Sequence, residues 1–65
     1  MNKIGEYLEL RKMSQRDLAE LAGCTEVTMS RYVSGKQEPR VSTALKIATA
    51  LHADVYDLFP AVDDD

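Results

Sequence analysis

One cysteine and one histidine are all this sequence offers toward a disulfide or a metal site. A lone cysteine excludes an internal cross-link, and Cys24 with His52 cannot close a zinc centre. No apolar run approaches the roughly 20 residues that a membrane span needs. The start of the chain, with Lys3, Glu6 and Glu9, lacks the apolar core of a signal peptide. A cytoplasmic protein with no membrane partner is therefore expected. Strand signals are also scarce, because β-branched residues are scattered and nowhere alternate over more than a few positions. There is no internal repeat and no low-complexity segment. Sixty-five residues make one domain, and a chain this short buries only roughly 60% of its unfolded surface. Helix packing, self-association, or both must hold it together.

Basic surplus is missing too, since the formal net charge is −3. That weighs against a nucleic-acid partner, which calls for a basic surface. The distribution softens the objection. Residues 1–40 hold seven Lys/Arg against six Asp/Glu, whereas residues 41–65 hold one against five. The acidity is concentrated toward Asp63, Asp64 and Asp65, read as a solvated tail over 61–65 behind a folded domain over 1–60. Local patches, more than net charge, decide where DNA can dock.

What is present is helical spacing. Ile4, Tyr7, Leu8 and Arg11 share a face, so a first helix is expected from about Lys3 to Arg11. Ser14 precedes Asp17 by three positions, resembling a capping box that opens a second helix with Leu18, Leu21 and Ala22 as its apolar stripe. Gly23 stands where a left-handed exit is needed. Thr25 caps a third helix with Met29, Tyr32 and Val33 inward, and Gly35 ends it. Lys36-Gln37-Glu38-Pro39 reads as a loop. Ser42 is expected to cap a fourth helix whose Ala44, Leu45, Ala48 and Leu51 repeat at three and four. Asp54 caps a short fifth helix carrying Val55, Leu58 and Phe59, stopped by Pro60. The expected fold class is all-α, with five short helices.

The twenty residues from Gln15 to Ser34 are the informative stretch. Leu18 is fourth, Ala19 fifth, Ala22 eighth, Gly23 ninth, Met29 fifteenth and Tyr32 eighteenth. Two helices joined steeply by a three- or four-residue turn impose this pattern. The fifth place needs a small residue where the helices cross, and the ninth needs a residue tolerant of positive φ. On the third helix Glu26, Val27, Ser30, Arg31 and Ser34 then form one outward face. A helix fits the major groove, where Arg31 can bond guanine O6 and N7, Val27 can meet a thymine methyl and Glu26 can accept from cytosine. Ser30 is permissive. Gln15 and Arg16 start the second helix, where free amides favour an anion. Lys36 and Arg40 flank the following loop within reach of phosphates, and such contacts fix register without reading sequence.

The run SQRDLAELAG, CTEVTMSRYVSGK, LKIATAL and DVYDLF resembles the phage repressor and Cro-like helix-turn-helix family, also called the XRE family. The match covers about Lys3 to Phe59. It implies a lambda-repressor-like fold and sequence-specific binding of double-stranded DNA, usually by a two-fold homodimer on a palindromic operator. By position, Gln15 resembles the family's phosphate-contacting glutamine. Glu26, Val27 and Arg31 stand at its base-reading places, and Lys36 and Arg40 at its loop contacts. Thr25 and Thr28, at the DNA-facing end of the third helix, join the phosphate set. The chain departs from the pattern at Lys12 and His52, where the family often has glycine, which implies a strained left-handed residue or a different turn. Val33 replaces a common acidic residue.

Plainer roles stand beside these. Glu26 stabilises a first helical turn by about 0.3–1 kcal/mol through the dipole alone. Thr25 is a cap whether or not it touches phosphate. Cys24 reads as a small core residue and His52 as a helix-end residue. Tyr56 and Phe59 belong either to the core or to a dimer face. A second function class is a protein-interaction module, such as an antitoxin, that keeps the fold without using it on DNA. An enzyme is not expected: there is no metal constellation, no phosphate-cradling glycine loop, and no cofactor is implied.

Overall fold

The computed structural model describes residues 2–60, so the expected tail at 61–65 lies outside the described residues. Within them the chain is all-α, with α1 (Ile4–Arg11), α2 (Gln15–Ala22), α3 (Glu26–Ser34), α4 (Val41–Leu51) and α5 (Val55–Leu58), and no strand. Helices this short are marginal in isolation, so their ends and shared core must hold them.

Three of the four expected caps form. The Ser14 hydroxyl accepts from the Asp17 amide at 3.0 Å, opening α2. Thr25 Oγ1 accepts from the Thr28 amide at 3.1 Å, opening α3. Asp54 Oδ1 accepts from the Tyr56 amide at 2.8 Å, opening α5. Each such cap contributes about 1 kcal/mol. The exits form as well. Gly23 and Gly35 take φ of 77° and 84°. Lys12 and His52 take φ of 56° and 53°, so the chain keeps the left-handed exit at both places that lack glycine.

Some boundaries move. The first helix begins at Ile4 instead of Lys3, because the Lys3 amide donates to the Leu58 carbonyl at 2.8 Å. Asn2 Oδ1 accepts from the Ile4 amide at 3.0 Å. Ser42 is not the cap of the fourth helix. The Ala44 amide bonds to the Arg40 carbonyl at 2.8 Å, so the first turn closes on Arg40 and Ser42 lies inside it. Phe59 falls just beyond α5, its amide closing on Val55 at 3.0 Å before Pro60.

Every helix sends at least one fully buried side chain to a single core: Ile4, Leu18, Met29, Ile47, Leu51 and Leu58. The middle helix, α2, packs against both α3 and α4 through Leu18 and the small residues Ala19 and Ala22. Two inward assignments fail. Leu21 and Leu45 are 59% and 50% exposed, and Ile47 is fully buried instead. On α4 the stripe is Ala44, Ile47, Ala48 and Leu51, spaced i, i+3, i+4 and i+7, and Leu45 lies beyond its edge. Tyr56 is exposed, which removes it from the core, whereas Phe59 is half-buried against it.

A long-range clamp secures the non-glycine exit of α4. Arg11 Nε donates to the Leu51 carbonyl at 2.7 Å and Nη2 to the His52 carbonyl at 3.1 Å. Its guanidinium lies 5.6 Å from the centre of the Tyr7 ring. The carbonyls at the end of α4 lack helical partners and carry its negative dipole, so a cation is favoured there. At the exits themselves, glycine relieves the left-handed strain but loses more backbone entropy on folding. We expect Lys12→Gly and His52→Gly each to stabilise the domain by about 0.5–1 kcal/mol. Thermal unfolding should then rise by several degrees (about 4–8 °C per kcal/mol at this size). An unchanged or lower midpoint in both variants would show that the strain is already relieved by local contacts.

Candidate nucleic-acid interface

The third helix is divided by burial into two faces. Met29 is fully buried and Tyr32 is buried, both in the common core. Glu26, Val27, Ser30, Arg31 and Ser34 are exposed on the other side. Val27 leaves 64% of its surface to solvent, an apolar side chain held outward on a helix that is otherwise anchored. The grouping of Glu26, Val27, Ser30 and Arg31 expected from the sequence is therefore physically one surface.

Both ends of that helix are fixed. At the start, Thr25 Oγ1 accepts the Thr28 amide and also donates to Thr28 Oγ1 at 3.0 Å. Thr28 is half-buried, and its amide and hydroxyl are both engaged by Thr25. At the finish, the Arg31 carbonyl accepts from the amides of Lys36 at 3.0 Å and Gln37 at 3.3 Å and from the Ser34 hydroxyl at 3.2 Å. This closure ties the backbone of Lys36 to the last turn of α3. Asn2 Nδ2 adds a bond to the Tyr32 carbonyl at 2.8 Å, 30 residues away in sequence.

The remaining candidates come from three other places. Gln15, half-buried, and Arg16, exposed, occupy the first two positions of α2. Ser14 satisfies the Asp17 amide there, which leaves the Gln15 and Arg16 amides without helical partners at the positive dipole end. Lys36 is exposed in the turn after α3, and Arg40 is exposed at the N-cap of α4. The exposed bases Arg16, Arg31, Lys36 and Arg40 are interleaved in sequence with the exposed acids Asp17, Glu20, Glu26 and Glu38.

Cys24 sits in the turn between α2 and α3, half-buried against the core, with its amide bonded to the Ala19 carbonyl at 3.0 Å. Burial pushes its thiol pKa up, so the sulfur stays protonated and behaves as a small packing group. No three or more His, Cys, Asp or Glu side chains among the described residues are grouped to hold a metal ion. No described helix is long and apolar enough to cross a membrane. Sequence reasoning did not anticipate Asn2 and Arg11 as positioning residues. Their bonds span 30 to 41 positions and leave no local pattern.

The two faces of α3 make opposite predictions for stability. Val27→Ala and Arg31→Ala should change unfolding free energy by no more than about 0.5 kcal/mol, as surface substitutions do. Met29→Ala should cost about 2–5 kcal/mol through lost burial and a residual cavity. Denaturant unfolding of the three variants measures this, and a large loss at Val27 would mean that the outward face is buried in solution.

A family model described as helix-turn-helix matches residues 4–58, from the first residue of α1 to the last of α5. The chain is also similar to an uncharacterized HTH-type transcriptional regulator, MJ0272, of Methanocaldococcus jannaschii. The two are 33% identical over 64 residues, covering 98% of this chain and 97% of that protein.

Proposed function

Because the chain belongs to the XRE helix-turn-helix family, we propose that it is a sequence-specific DNA-binding regulator, a repressor, that reads the major groove with α3. The observation that carries this reading is the outward face of a helix fixed at both ends, with Val27 and Arg31 exposed beside the buried Met29 and Tyr32. A helix of nine residues is about 13 Å long, enough to present three or four side chains to base edges. Arg31 supplies bidentate recognition of guanine, and Val27 a thymine-methyl contact. Glu26 adds an acceptor for cytosine amino groups, and Ser30 fills the space between. The amide ends at Gln15 and Arg16, the Thr25–Thr28 hydroxyl pair, which keeps the Thr28 proton free to donate, and the cations Lys36 and Arg40 contact phosphate and set the docking angle.

One such helix discriminates too few base pairs for a unique site, since each correct pair contributes about 1–3 kcal/mol. A homodimer on a two-fold operator supplies the rest. The face that supports it is a shallow groove of about 330 Å³ between the loop before α4 and α5, lined by Glu38, Pro39, Val41, Ala44, Leu45, Val55, Tyr56 and Phe59. Val41 and Tyr56 are 76% and 67% exposed there and, with Leu45, make an apolar patch that a second copy can cover. Tyr56→Lys should lower the dimer content seen by sedimentation while leaving the fold intact. A monomeric wild-type chain at tens of micromolar and on DNA alike would remove the dimer from this reading.

Selection of bound sites from random duplexes, followed by two substitutions, tests the DNA assignment. Arg31→Ala should lose about 1–3 kcal/mol of preference at one base position of each half-site. Lys36→Ala should weaken all sequences nearly equally and lower the slope of log affinity against log salt by about one. If neither substitution alters retention on any duplex, and the chain instead co-purifies with a protein, the interaction-module reading replaces this one.

A further inference from the structure

One side-chain amide joins the start of α1 to the last turn of α3. Asn2 Nδ2 donates to the Tyr32 carbonyl at 2.8 Å, and Asn2 Oδ1 accepts from the Ile4 amide at 3.0 Å. A carbonyl on one side and an N–H on the other fix the orientation of this amide, since the reverse placement would satisfy neither. Lys3, the N-cap of α1, makes no side-chain cap bond, so Asn2 supplies it. The Tyr32 carbonyl also accepts from the Gly35 amide at 3.2 Å, and its second lone pair is the one that Asn2 uses. Asn2 is itself anchored, because the next residue along, Lys3, bonds its amide to the Leu58 carbonyl at 2.8 Å. The two helices run close here: a Cβ on Gly5 would meet Val33 Cγ1 at 3.7 Å.

The position of this bond along α3 gives it leverage. The helix packs chiefly against α2, and its first turn is set by the Thr25 cap. Buried Met29 and Tyr32 keep it on the core, but apolar contacts are non-directional and fix its tilt poorly. Thr25 and Tyr32 lie about 10 Å apart along the axis, so a tilt of about 6° about the first turn moves the last by about 1 Å. That displacement is enough to spoil one of the two parallel bonds an arginine makes to guanine. Tyr32 directly follows Arg31, so a tie to its carbonyl acts where the Arg31 side chain leaves the helix. We propose that Asn2 is a positioning residue for DNA recognition, holding the last turn of α3 in the orientation from which Arg31 reads its base. The inference rests on the reading of Arg31 as a base contact. Asn2 carries no charge, so its contribution is order and not attraction, and it acts on sequence discrimination more than on general affinity.

The test uses the untagged full chain as wild type, Asn2→Ala and Asn2→Asp, each with and without Arg31→Ala. Aspartate keeps the acceptor for the Ile4 amide and removes only the donor to Tyr32, which separates the tie to α3 from the cap of α1. Affinity is measured for the duplex recovered by selection and for a random-sequence duplex of equal length, and the ratio of the two is the readout. Partial unfolding lowers both affinities together, as does the added charge of aspartate, so neither moves the ratio. The ratio should fall about three- to tenfold in both variants, and most of that fall should be absent when Arg31 is already alanine. Exchange of the Gly35 amide should quicken in both variants, and that of Ile4 in Asn2→Ala alone. An unchanged ratio in Asn2→Asp, or an equal fall with and without Arg31, would overturn the proposal while leaving the DNA reading intact. A wild-type chain with no preference between the two duplexes would bring down the DNA reading and the proposal with it.

Discussion

The fold depends on ending four successive helices within a single residue each. Lys12, Gly23, Gly35 and His52 all adopt positive φ, and each returns its amide to a carbonyl of the helix it closes. A chain of 65 residues has no length to spare for gradual turns. With one cysteine it has no internal disulfide to impose them. Left-handed exits reverse the direction at once and satisfy carbonyls that would otherwise be orphaned. The cost at Lys12 and His52 is steric. The clamp from Arg11 to the carbonyls of Leu51 and His52 offsets it at one of them by tying the end of α1 to the end of α4.

Those exits place the core. Because each helix is short and turns sharply, every one of them reaches the centre with Ile4, Leu18, Met29, Ile47, Leu51 or Leu58. No buried side-chain nitrogen or oxygen among the described residues lacks a partner, so burial is not offset by stranded polar groups. The small Ala19 and Ala22 let α2 lie close to its neighbours. Substituting larger side chains there would separate α2 from α3 and with it displace the outward face.

Local chemistry was legible in the sequence, and global choices were less so. Ser14, Thr25 and Asp54 announce their helices because a cap is a contact over two or three residues. Gly23 and Gly35 announce exits for the same reason. Ser42 misleads because it is a good capping residue two positions too late, and only the Arg40 carbonyl bond to Ala44 reveals the true start. Leu21 and Leu45 read as inward in the sequence because an eight- or eleven-residue helix gives too few turns to locate the edge of a stripe. Which edge is covered depends on the neighbouring helices. Asn2 and Arg11 were invisible, since each acts on a carbonyl 30 or more positions away. The candidate face on α3 was legible by subtraction: once Met29 and Tyr32 are assigned inward, helical geometry leaves Val27 and Arg31 outward.

The same bonds that hold α3 to the core also orient what it presents. Its first turn is fixed by Thr25, its last by the Arg31 carbonyl, which gathers Ser34, Lys36 and Gln37. Arg31 therefore has two separate functions, a backbone that organises the turn carrying Lys36 and a side chain free on the outward face. The exposed side chains of Arg31 and Lys36 are in this way held in a fixed relation by one carbonyl. Pre-ordering of this kind lowers the entropy lost on association. That gain matters most for a chain without a basic surplus, whose formal net charge is −3, because its long-range attraction to a polyanion is weak and affinity must come from groups already in position.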